Sequence, residues 1–365
     1  MSIHLIDPDL PQSDQIETIE DALLVPIGER KKFRRTALGG VVRPDGSFVE
    51  NSHAHIEPGR TATKRPPARN HADVGQIRGT WLYGGRHDLR FGHFLVETIA
   101  RLWALDHMDT PPDGIVFLPQ AADGYGNVGR RIRLTQPMFD LFGDLPKLVI
   151  RTRPARFERL IVPPQGCGSG QHAASGPEFR AFVKRRFAKS ISPAGPDKLY
   201  VSRSRLLKTP GQVLFEKEIE EGLAAEGYTV IHPQEHPVPD QIAMYRAARK
   251  IIGTESSAFH LMALAMPTAK VGIIRRRNGD KSDGFSEQLR RFTGQNPVML
   301  GDVVESFAFP NSDGKANALL DMPALATALQ SEGFVSSEFT LAAPDKDQTT
   351  RAKDDLHDKI RGVSA

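Results

Sequence analysis

Residues 250–275 read KIIGTESSAFHLMALAMPTAKVGIIR, and this stretch decides the fold class. The apolar run Lys250–Gly253 predicts a buried strand, and the apolar spacing within Ser256–Ala265 predicts a helix. A second apolar run, Lys270–Arg275, predicts another strand. A strand, a helix and a strand in this order are typical of a βαβ unit with two parallel strands.

The same alternation continues on both sides of this stretch. Further strands are predicted at Leu199–Ser202, Thr229–His232 and Pro297–Leu300, and further helices at Glu216–Glu226, Pro239–Ala248 and Ser286–Phe292. Strands that alternate with helices in this way indicate an α/β fold, in which helices cover both faces of a parallel sheet. Ligands of such sheets bind beyond the carboxyl ends of the strands, so we expect binding residues there.

The first half of the chain carries a less regular form of the pattern. One strand is predicted at Ile77–Tyr83, where Gly84-Gly85 would end it, and another at Ile115–Leu118. Between them, Phe91–His107 has apolar residues at helical spacing. We therefore expect a second α/β unit in this half.

The length of the chain favours two domains. At 365 residues it exceeds the size at which a single hydrophobic core stops growing. The segment SPAGP at 192–196 is typical of a linker. We interpret 1–194 and 195–312 as two α/β domains, and 313–365 as a helical segment with a mobile charged tail.

Composition excludes several classes of protein. The net charge of +4 suits a phosphate-bearing ligand better than nucleic acid, for which a denser basic surface is usual. Cys167 is the only cysteine, so the chain forms no internal disulfide and no cysteine zinc cluster. The N-terminal residues lack the pattern of a secretory signal, and no apolar run is long enough for a transmembrane segment. We expect a cytoplasmic protein and leave peripheral membrane association open.

The first group of candidate site residues lies on the predicted helix after Gly84-Gly85. His93, Glu97 and Arg101 follow one another at intervals of four residues, so a helix would place them on one face. A carboxylate one turn from an imidazole orients it as a general base. Either His93 is the base and Glu97 orients it, or Glu97 is itself the base. Arg101 would balance Glu97 or bind a phosphate, unless the stripe is simply solvated.

The second group follows the strand that ends at Gly253. Ser256 and Ser257 open the next helix, whose N–H groups and dipole would attract a pyrophosphate. Glu255 would accept a hydrogen bond from a sugar or ribose hydroxyl. His260 would bind the same ligand, or it would be an ordinary histidine of the helix core.

Basic residues follow two other predicted strands. Arg203 and Lys208 come after Leu199–Ser202, and Arg275 begins a run of three arginines after the strand at Lys270. Both positions suit a phosphate. Asp-x-Asp occurs only in the terminal segments, and neither dinucleotide-binding nor P-loop glycine motifs follow a strand. The sequence therefore predicts no metal site and no cofactor.

These stretches together resemble glycosyltransferase family 61. The run His93-x3-Glu97-x3-Arg101-Leu102 is similar to that family's His-aromatic-x2-Asp-x3-Arg-Leu motif, with Glu97 in place of Asp. Glu255–His260 resembles the bacterial variant of its last motif, Glu-Gly-Ser-Ala-x-His, with Ser256 in place of Gly. Leu199–Arg203 resembles its strand ending in Ser-Arg, and Glu216 the glutamate that begins its next helix.

The resemblance implies a GT-B-like architecture of two Rossmann-like domains facing a central cleft, with 1–194 as the acceptor-side domain and 195–312 as the nucleotide-sugar-binding domain. It also implies metal-independent, inverting transfer from a nucleotide-sugar donor to a glycan or glycolipid acceptor, as in cell-surface or capsular polysaccharide biosynthesis. We predict His93 and Glu97 as catalytic, Arg203, Lys208, Glu255, Ser256, Ser257 and His260 as donor-binding, and Arg101 and Arg275 as supporting residues. The alternative is a non-catalytic glycan- or nucleotide-binding protein with a transferase fold.

Overall fold

The chain divides into two compact units, Met1–Lys189 and Ser190–Ala365. The computed structural model describes residues 6–26, 37–57, 60–67, 74–119, 128–206, 211–277, 283–309 and 316–361. Within these ranges, no helix combines the length and the apolar character that crossing a membrane requires.

The first unit contains ten strands and three α-helices among its described residues. The strands are β1 (Glu17–Val25), β2 (Ala37–Leu38), β3 (Gly40–Val42), β4 (His55–Glu57), β5 (Arg60–Thr61), β6 (Thr63–Lys64), β7 (Gln76–His87), β8 (Gly114–Pro119), β9 (Leu148–Ile150) and β10 (Ala155–Val162). The helices are α1 (Phe91–His93), α2 (Val128–Phe139) and α3 (Pro177–Arg186).

The main sheet of this unit is mixed, with strand order β3-β1-β10-β7-β8-β9. Strands β10, β7, β8 and β9 are parallel, whereas β1 pairs antiparallel with both β10 and β3. The unit therefore differs from the predicted Rossmann-like half. The antiparallel edge comes from the N-terminal segment, where the sequence pattern was weakest.

Strand β7 does not end at Gly84-Gly85 as the sequence predicts, but runs on to His87. The pairing of β7 with β8 shifts register between Tyr83 and Gly85, so the two glycines form a bulge. Gly85 has φ +85°, and a side chain there would clash with Arg101. The bulge places Arg86 and His87 at the carboxyl end of the strand.

The predicted continuous helix over Phe91–His107 is also wrong. Helix α1 passes into a π-helical turn at Phe94–Thr98, and a 3₁₀ helix follows at Leu102–His107. All five residues of the π turn are buried, so this segment has no solvent face of the kind that an amphipathic helix requires. The Thr98 hydroxyl donates to the Arg86 carbonyl at 3.2 Å, which ties the turn to the end of β7.

The second unit alternates strands and helices. Its strands are β11 (Lys198–Val201), β12 (Thr229–Ile231), β13 (Lys250–Thr254), β14 (Lys270–Ile274), β15 (Val298–Leu300), β16 (Val303–Phe307) and β17 (Asn317–Leu320). Its helices are α4 (Glu216–Ala225), α5 (Val238–Ala247), α6 (Ala258–Ala265), α7 (Asp283–Thr293), α8 (Met322–Ser331) and α9 (Lys346–Arg361).

The prediction of a parallel sheet in this half is confirmed. The five strands lie in the order β12-β11-β13-β14-β15, and every pair is parallel. Strands β16 and β17 form a separate antiparallel pair. The sheet residues Ile252 and Ile274 pack in one core with Leu325 and Leu329 of α8.

The C-terminal segment is helical as predicted, with α8 and α9, but it belongs to the second unit. Residues of 316–341 belong to the core of the second unit rather than to an appended piece, because apolar side chains of β17, α8 and the loop after it are buried. The segment predicted to be a mobile charged tail contains α9, a helix of 16 residues with no buried side chain.

Candidate functional site

His93 and Glu97 form a hydrogen-bonded pair in the first unit. The Nδ1 atom of His93 lies 2.6 Å from Oε1 of Glu97. The Glu97 side chain is buried, whereas one third of the His93 side chain is exposed. Because Nδ1 is bound to Glu97, Nε2 is the His93 nitrogen that can face a ligand. The pair therefore has the geometry of an imidazole base held by a carboxylate.

Two further residues hold the Glu97 carboxylate. Arg86, at the end of β7, donates to Oε2, and the Ser169 hydroxyl donates to Oε1 at 3.1 Å. Burial would raise the pKa of Glu97, but the hydrogen bond with His93 and the charge of Arg86 outweigh it and lower the pKa. Glu97 is therefore an ionised residue with both oxygens engaged, which favours an orienting role.

The surroundings of this pair include a possible metal donor set. One ligand atom from each of Asp88, His93 and Glu97 lies within 4.8 Å of the others. However, Arg90 donates to both carboxylate oxygens of Asp88, at 3.0 and 2.6 Å, and Arg86 pairs with Glu97. A metal ion would have to displace or repel these guanidinium groups. The donor set therefore fits ion pairing better than metal binding.

Arg101 does not join the pair, and its predicted role as partner of Glu97 is wrong. Its guanidinium group is buried and donates to the backbone carbonyls of Asn51, His53 and Pro163, at 2.9, 2.6 and 3.2 Å. Burial lowers the pKa of Arg101 to about 10. Arg101 thus connects the 51–53 segment to the loop after β10, and it is not placed to bind a phosphate.

The carboxyl ends of three adjacent strands meet at one edge of the second sheet. Strand β13 lies between β11 and β14, with Gly253 opposite Val201. The segments that follow these strands begin with Ser202, Glu255 and Arg275. They leave the sheet side by side, which brings together residues that are far apart in the chain.

Glu255 is already engaged by two arginines of the segment after β14. Its carboxylate forms an ion pair with Arg277 and accepts from the backbone N–H of Arg276 at 3.4 Å. The Nε of Arg276 donates to the Glu255 carbonyl at 2.8 Å. Glu255 is completely buried. Its predicted role as acceptor for a ligand hydroxyl is therefore not supported, because its contacts position the arginines instead.

Arg203 lies next to these arginines, and its backbone contacts the buried Glu216. Oε1 of Glu216 accepts from the Arg203 backbone N–H at 3.0 Å and from the hydroxyls of Thr254 and Tyr200 at 2.6 and 3.1 Å. Burial and the charge of Arg276 lower the pKa of Arg203 to about 10. Burial raises the pKa of Glu216. Within the described part of the chain, the buried Nε of Arg203 has no hydrogen-bond partner.

The remaining predicted residues on α6 lie close to this edge. Ser257 is the N-cap residue, so the helix begins at Ala258 rather than at Ser256. The Ser256 hydroxyl accepts from the Ala258 backbone N–H at 3.3 Å. The Nδ1 atom of His260 lies 2.6 Å from Oε1 of Gln288 on α7. His260 is partly exposed and contacts α7 through this pair, and its role in donor binding stays a prediction.

Two predicted basic residues contribute less to the described geometry. Lys208 lies outside the described residues. Arg275 is partly exposed, and its backbone N–H donates to the Leu300 carbonyl at 2.9 Å. Its neighbours Arg276 and Arg277 are the members of the run that contact Glu255. The sequence placed the run correctly after β14 but did not single out these two residues.

Sequence reasoning also missed Arg86, Asp88 and Ser169. A signal existed for Arg86 and Asp88, because both lie at the carboxyl end of a strand. The prediction that the strand ends at Gly84-Gly85 obscured this signal, because it placed both residues beyond the strand. Ser169 approaches Glu97 from a loop 72 residues away, which only the tertiary structure shows.

The family model described as Glycosyltransferase 61 matches residues 91–272, which include the His93–Glu97 pair and strands β11 and β13. This match supports the predicted family resemblance, and the chain is a glycosyltransferase. No curated protein matches the sequence.

One solved structure that aligns with the chain is the dodecameric iron-containing heptosyltransferase TibC in complex with ADP-D-β-D-heptose. The alignment covers 94% of this chain and 92% of that one, at 11% identity and a TM-score of 0.31.

Proposed function

We propose that this glycosyltransferase transfers a sugar from a nucleotide-sugar donor to a hydroxyl of a glycan-type acceptor, without a metal and with inversion at the anomeric carbon. The observation that carries the proposal is the group of three arginines, Arg203, Arg276 and Arg277, at the carboxyl edge of the second sheet. We call it the arginine group. Its three positive charges exceed the charge of the two adjacent carboxylates, Glu216 and Glu255.

A diphosphate fits this excess of positive charge. Guanidinium groups bind phosphate oxygens through short, charge-assisted hydrogen bonds. Burial strengthens such bonds, because water screens them less. It also makes the net positive charge of the group unfavourable without a further anion, and burial and the charge of Arg276 lower the pKa of Arg203. Bound diphosphate would supply that anion, and the same charges would stabilise the diphosphate as it leaves the sugar.

His93 is the proposed base for the acceptor hydroxyl. Its Nε2 would take the proton of the hydroxyl while the Nδ1 proton remains hydrogen-bonded to Glu97. The acceptor oxygen forms a bond to the anomeric carbon as the bond between that carbon and the diphosphate oxygen breaks. The proton ends on His93 and the electron pair on the diphosphate. A single displacement of this kind inverts the configuration at the anomeric carbon.

We also propose that the protein is a bacterial-type, cytoplasmic enzyme of GT-B architecture, open to peripheral membrane association. Its acceptors would be glycans or glycolipids in cell-surface or capsular polysaccharide biosynthesis. The motif resemblance over Glu255–His260 supports this part of the proposal.

The donor side is tested by replacing Arg203 with alanine. Arg203→Ala should weaken binding of the donor by about 1.5–3 kcal/mol, the range for a hydrogen bond to a charged group. Arg205→Ala is the matched control, because Arg205 lies two residues away but is exposed and paired with Glu235 at 2.9 Å. Calorimetry of both variants with the nucleotide sugar that binds the wild type gives the comparison. Equal affinities in all three proteins would refute the assignment of the diphosphate to this edge.

The alternative, a non-catalytic binding protein, is favoured by one feature. Ser256 is buried where the resembling motif has glycine, so its side chain occupies space beside the proposed diphosphate. Release of nucleoside diphosphate from a bound nucleotide sugar distinguishes the two functions. An enzyme releases it in the presence of acceptor or by slow hydrolysis, whereas a binding protein shows affinity without release.

A further inference from the structure

A cavity of about 480 Å³ lies between α9 and the beginning of α4. One wall is apolar and is formed by four described residues that lie between β11 and α4, Leu206, Val213, Leu214 and Phe215. The opposite wall is the C-terminal helix, with Ala352 and Leu356 among its lining residues. The His93–Glu97 pair and its neighbours do not line this cavity, and nothing in the sequence pattern points to it.

Helix α9 is held by one side and turns another side to the cavity. Lys353 donates to both carboxylate oxygens of Glu305 on β16, at 2.6 and 2.8 Å, and the His357 ring stacks on Phe309. No residue of α9 is buried, and its apolar residues Leu356 and Ile360 line the cavity. Most of the stability of a helix in a protein comes from packing of its apolar face against the rest of the fold. A ligand with an apolar face in the cavity would supply packing that α9 otherwise lacks.

Two residues connect the cavity with the arginine group, whose own side chains do not line it. Glu216 lines it, and the same residue accepts from the Arg203 backbone N–H. Gly211, next to the lining residue Gln212, lies so close to Arg276 that a side chain there would clash with the guanidinium group. A ligand whose diphosphate binds the arginine group would therefore extend into this cavity.

Two features of the lining bear on a ligand. Phe215 has φ +61° and ψ +25°, a backbone conformation that costs free energy for an aromatic residue and that clusters at functional sites. Glu216 is 3% exposed, and within the described residues its Oε2 has no hydrogen-bond partner. A buried carboxylate oxygen without a partner is costly, so a hydroxyl donor from a ligand would satisfy it.

We propose that this cavity binds the nucleoside of the donor, so that the C-terminal helix forms a wall of the donor site. The base would pack against Phe215 and Leu356, and a ribose hydroxyl would donate to Oε2 of Glu216. This inference rests on the proposed function, because it takes the diphosphate to lie on the arginine group.

Filling the cavity provides the test. Ala352→Trp places a large side chain in it from α9, where a change cannot disrupt a buried core. Asp354→Trp is the matched control, because Asp354 is exposed on the same helix and does not line the cavity. Binding of ADP, GDP, CDP, UDP and inorganic pyrophosphate to the full-length chain is measured by calorimetry. Ala352→Trp should lower the affinity for the nucleoside diphosphate by about 10-fold or more, as expected from loss of base stacking. It should leave the affinity for pyrophosphate unchanged. Asp354→Trp should change neither.

Hydrogen exchange of α9 gives a second readout. The nucleoside diphosphate should slow exchange of the α9 amides in the wild type, and pyrophosphate should not, because only the nucleoside reaches α9. If a nucleoside diphosphate binds and Ala352→Trp retains full affinity, the cavity assignment is wrong while the proposed function stands. Equal protection of α9 by pyrophosphate would also overturn it. If none of the nucleotides binds the wild type, the proposed function itself fails.

Discussion

The substitution Glu97→Gln keeps the shape of the side chain and removes its charge. In the wild type, the carboxylate binds His93 at 2.6 Å, Ser169 at 3.1 Å and Arg86. Removing one partner of a buried ion pair costs about 3–5 kcal/mol, because the other charge is left buried. Arg86 would retain Asp88, whose Oδ2 lies 3.5 Å from its Nη2. We therefore expect a loss of unfolding free energy near the lower limit, about 3 kcal/mol.

The assay is urea unfolding followed by tryptophan fluorescence. Trp81 and Trp103 are the two tryptophans of the chain, and both belong to the first unit, so the signal reports on the unit that contains Glu97. Glu20→Gln is the control, because Glu20 pairs with Arg159 at 2.8 Å on the exposed surface, where an ion pair contributes little. A loss in Glu97→Gln below about 1 kcal/mol, or no larger than that of the control, would refute the burial argument.

The difference in unfolding free energy between the wild type and Glu97→Gln depends on pH with a definite sign. The folded-state pKa of Glu97 lies below its ordinary value of 4.5. The stabilisation by the charged carboxylate is therefore fully present above pH 4.5 and is lost as the pH falls through the lower folded-state pKa.

Glu97→Gln should also slow transfer by roughly 100-fold, the lower end of general-base effects, because His93 loses its orienting charge. Wild-type rates in this variant would exclude the pair from catalysis.

Four further outcomes follow from the geometry. Treatment with EDTA should leave activity unchanged, because Arg86 and Arg90 already neutralise the nearby carboxylates; loss of activity that Mg²⁺ or Mn²⁺ restores would reveal a metal site. Arg101→Met should lower the unfolding free energy by about 3 kcal/mol or more, since three carbonyls lose a donor, while donor affinity measured by calorimetry stays the same. Ser256→Gly should keep or improve donor affinity; a folded variant that no longer binds would show that the hydroxyl itself contacts the ligand. Gly211→Ala should weaken donor binding, because its φ of +91° disfavours a side chain and the added carbon would displace Arg276; unchanged affinity would separate Arg276 from the diphosphate.

The local spacing of apolar residues was sufficient to predict the parallel sheet in the second half of the chain. The strands Lys250–Thr254 and Lys270–Ile274 and the helix between them are short-range features, written in apolar spacing and in the residues that end each element. Because parallel strands place their carboxyl ends at one edge, the sequence also located Arg203, Glu255 and the arginine run on that edge. The pairing of His93 with Glu97 followed from a spacing of four residues.

The tertiary structure decided which of these side chains are available to a ligand. Arg101 and Glu255 look like site residues in the sequence, but Arg101 binds the carbonyls of Asn51 and His53, and Glu255 binds Arg277. Arg86 reaches Glu97 because a glycine bulge extends β7, a feature that depends on pairing with β8. The sequence alone determined the alternation of elements, since spacing along the chain is local. Burial and charge compensation depend on segments far apart in the chain, so only the folded arrangement determined them.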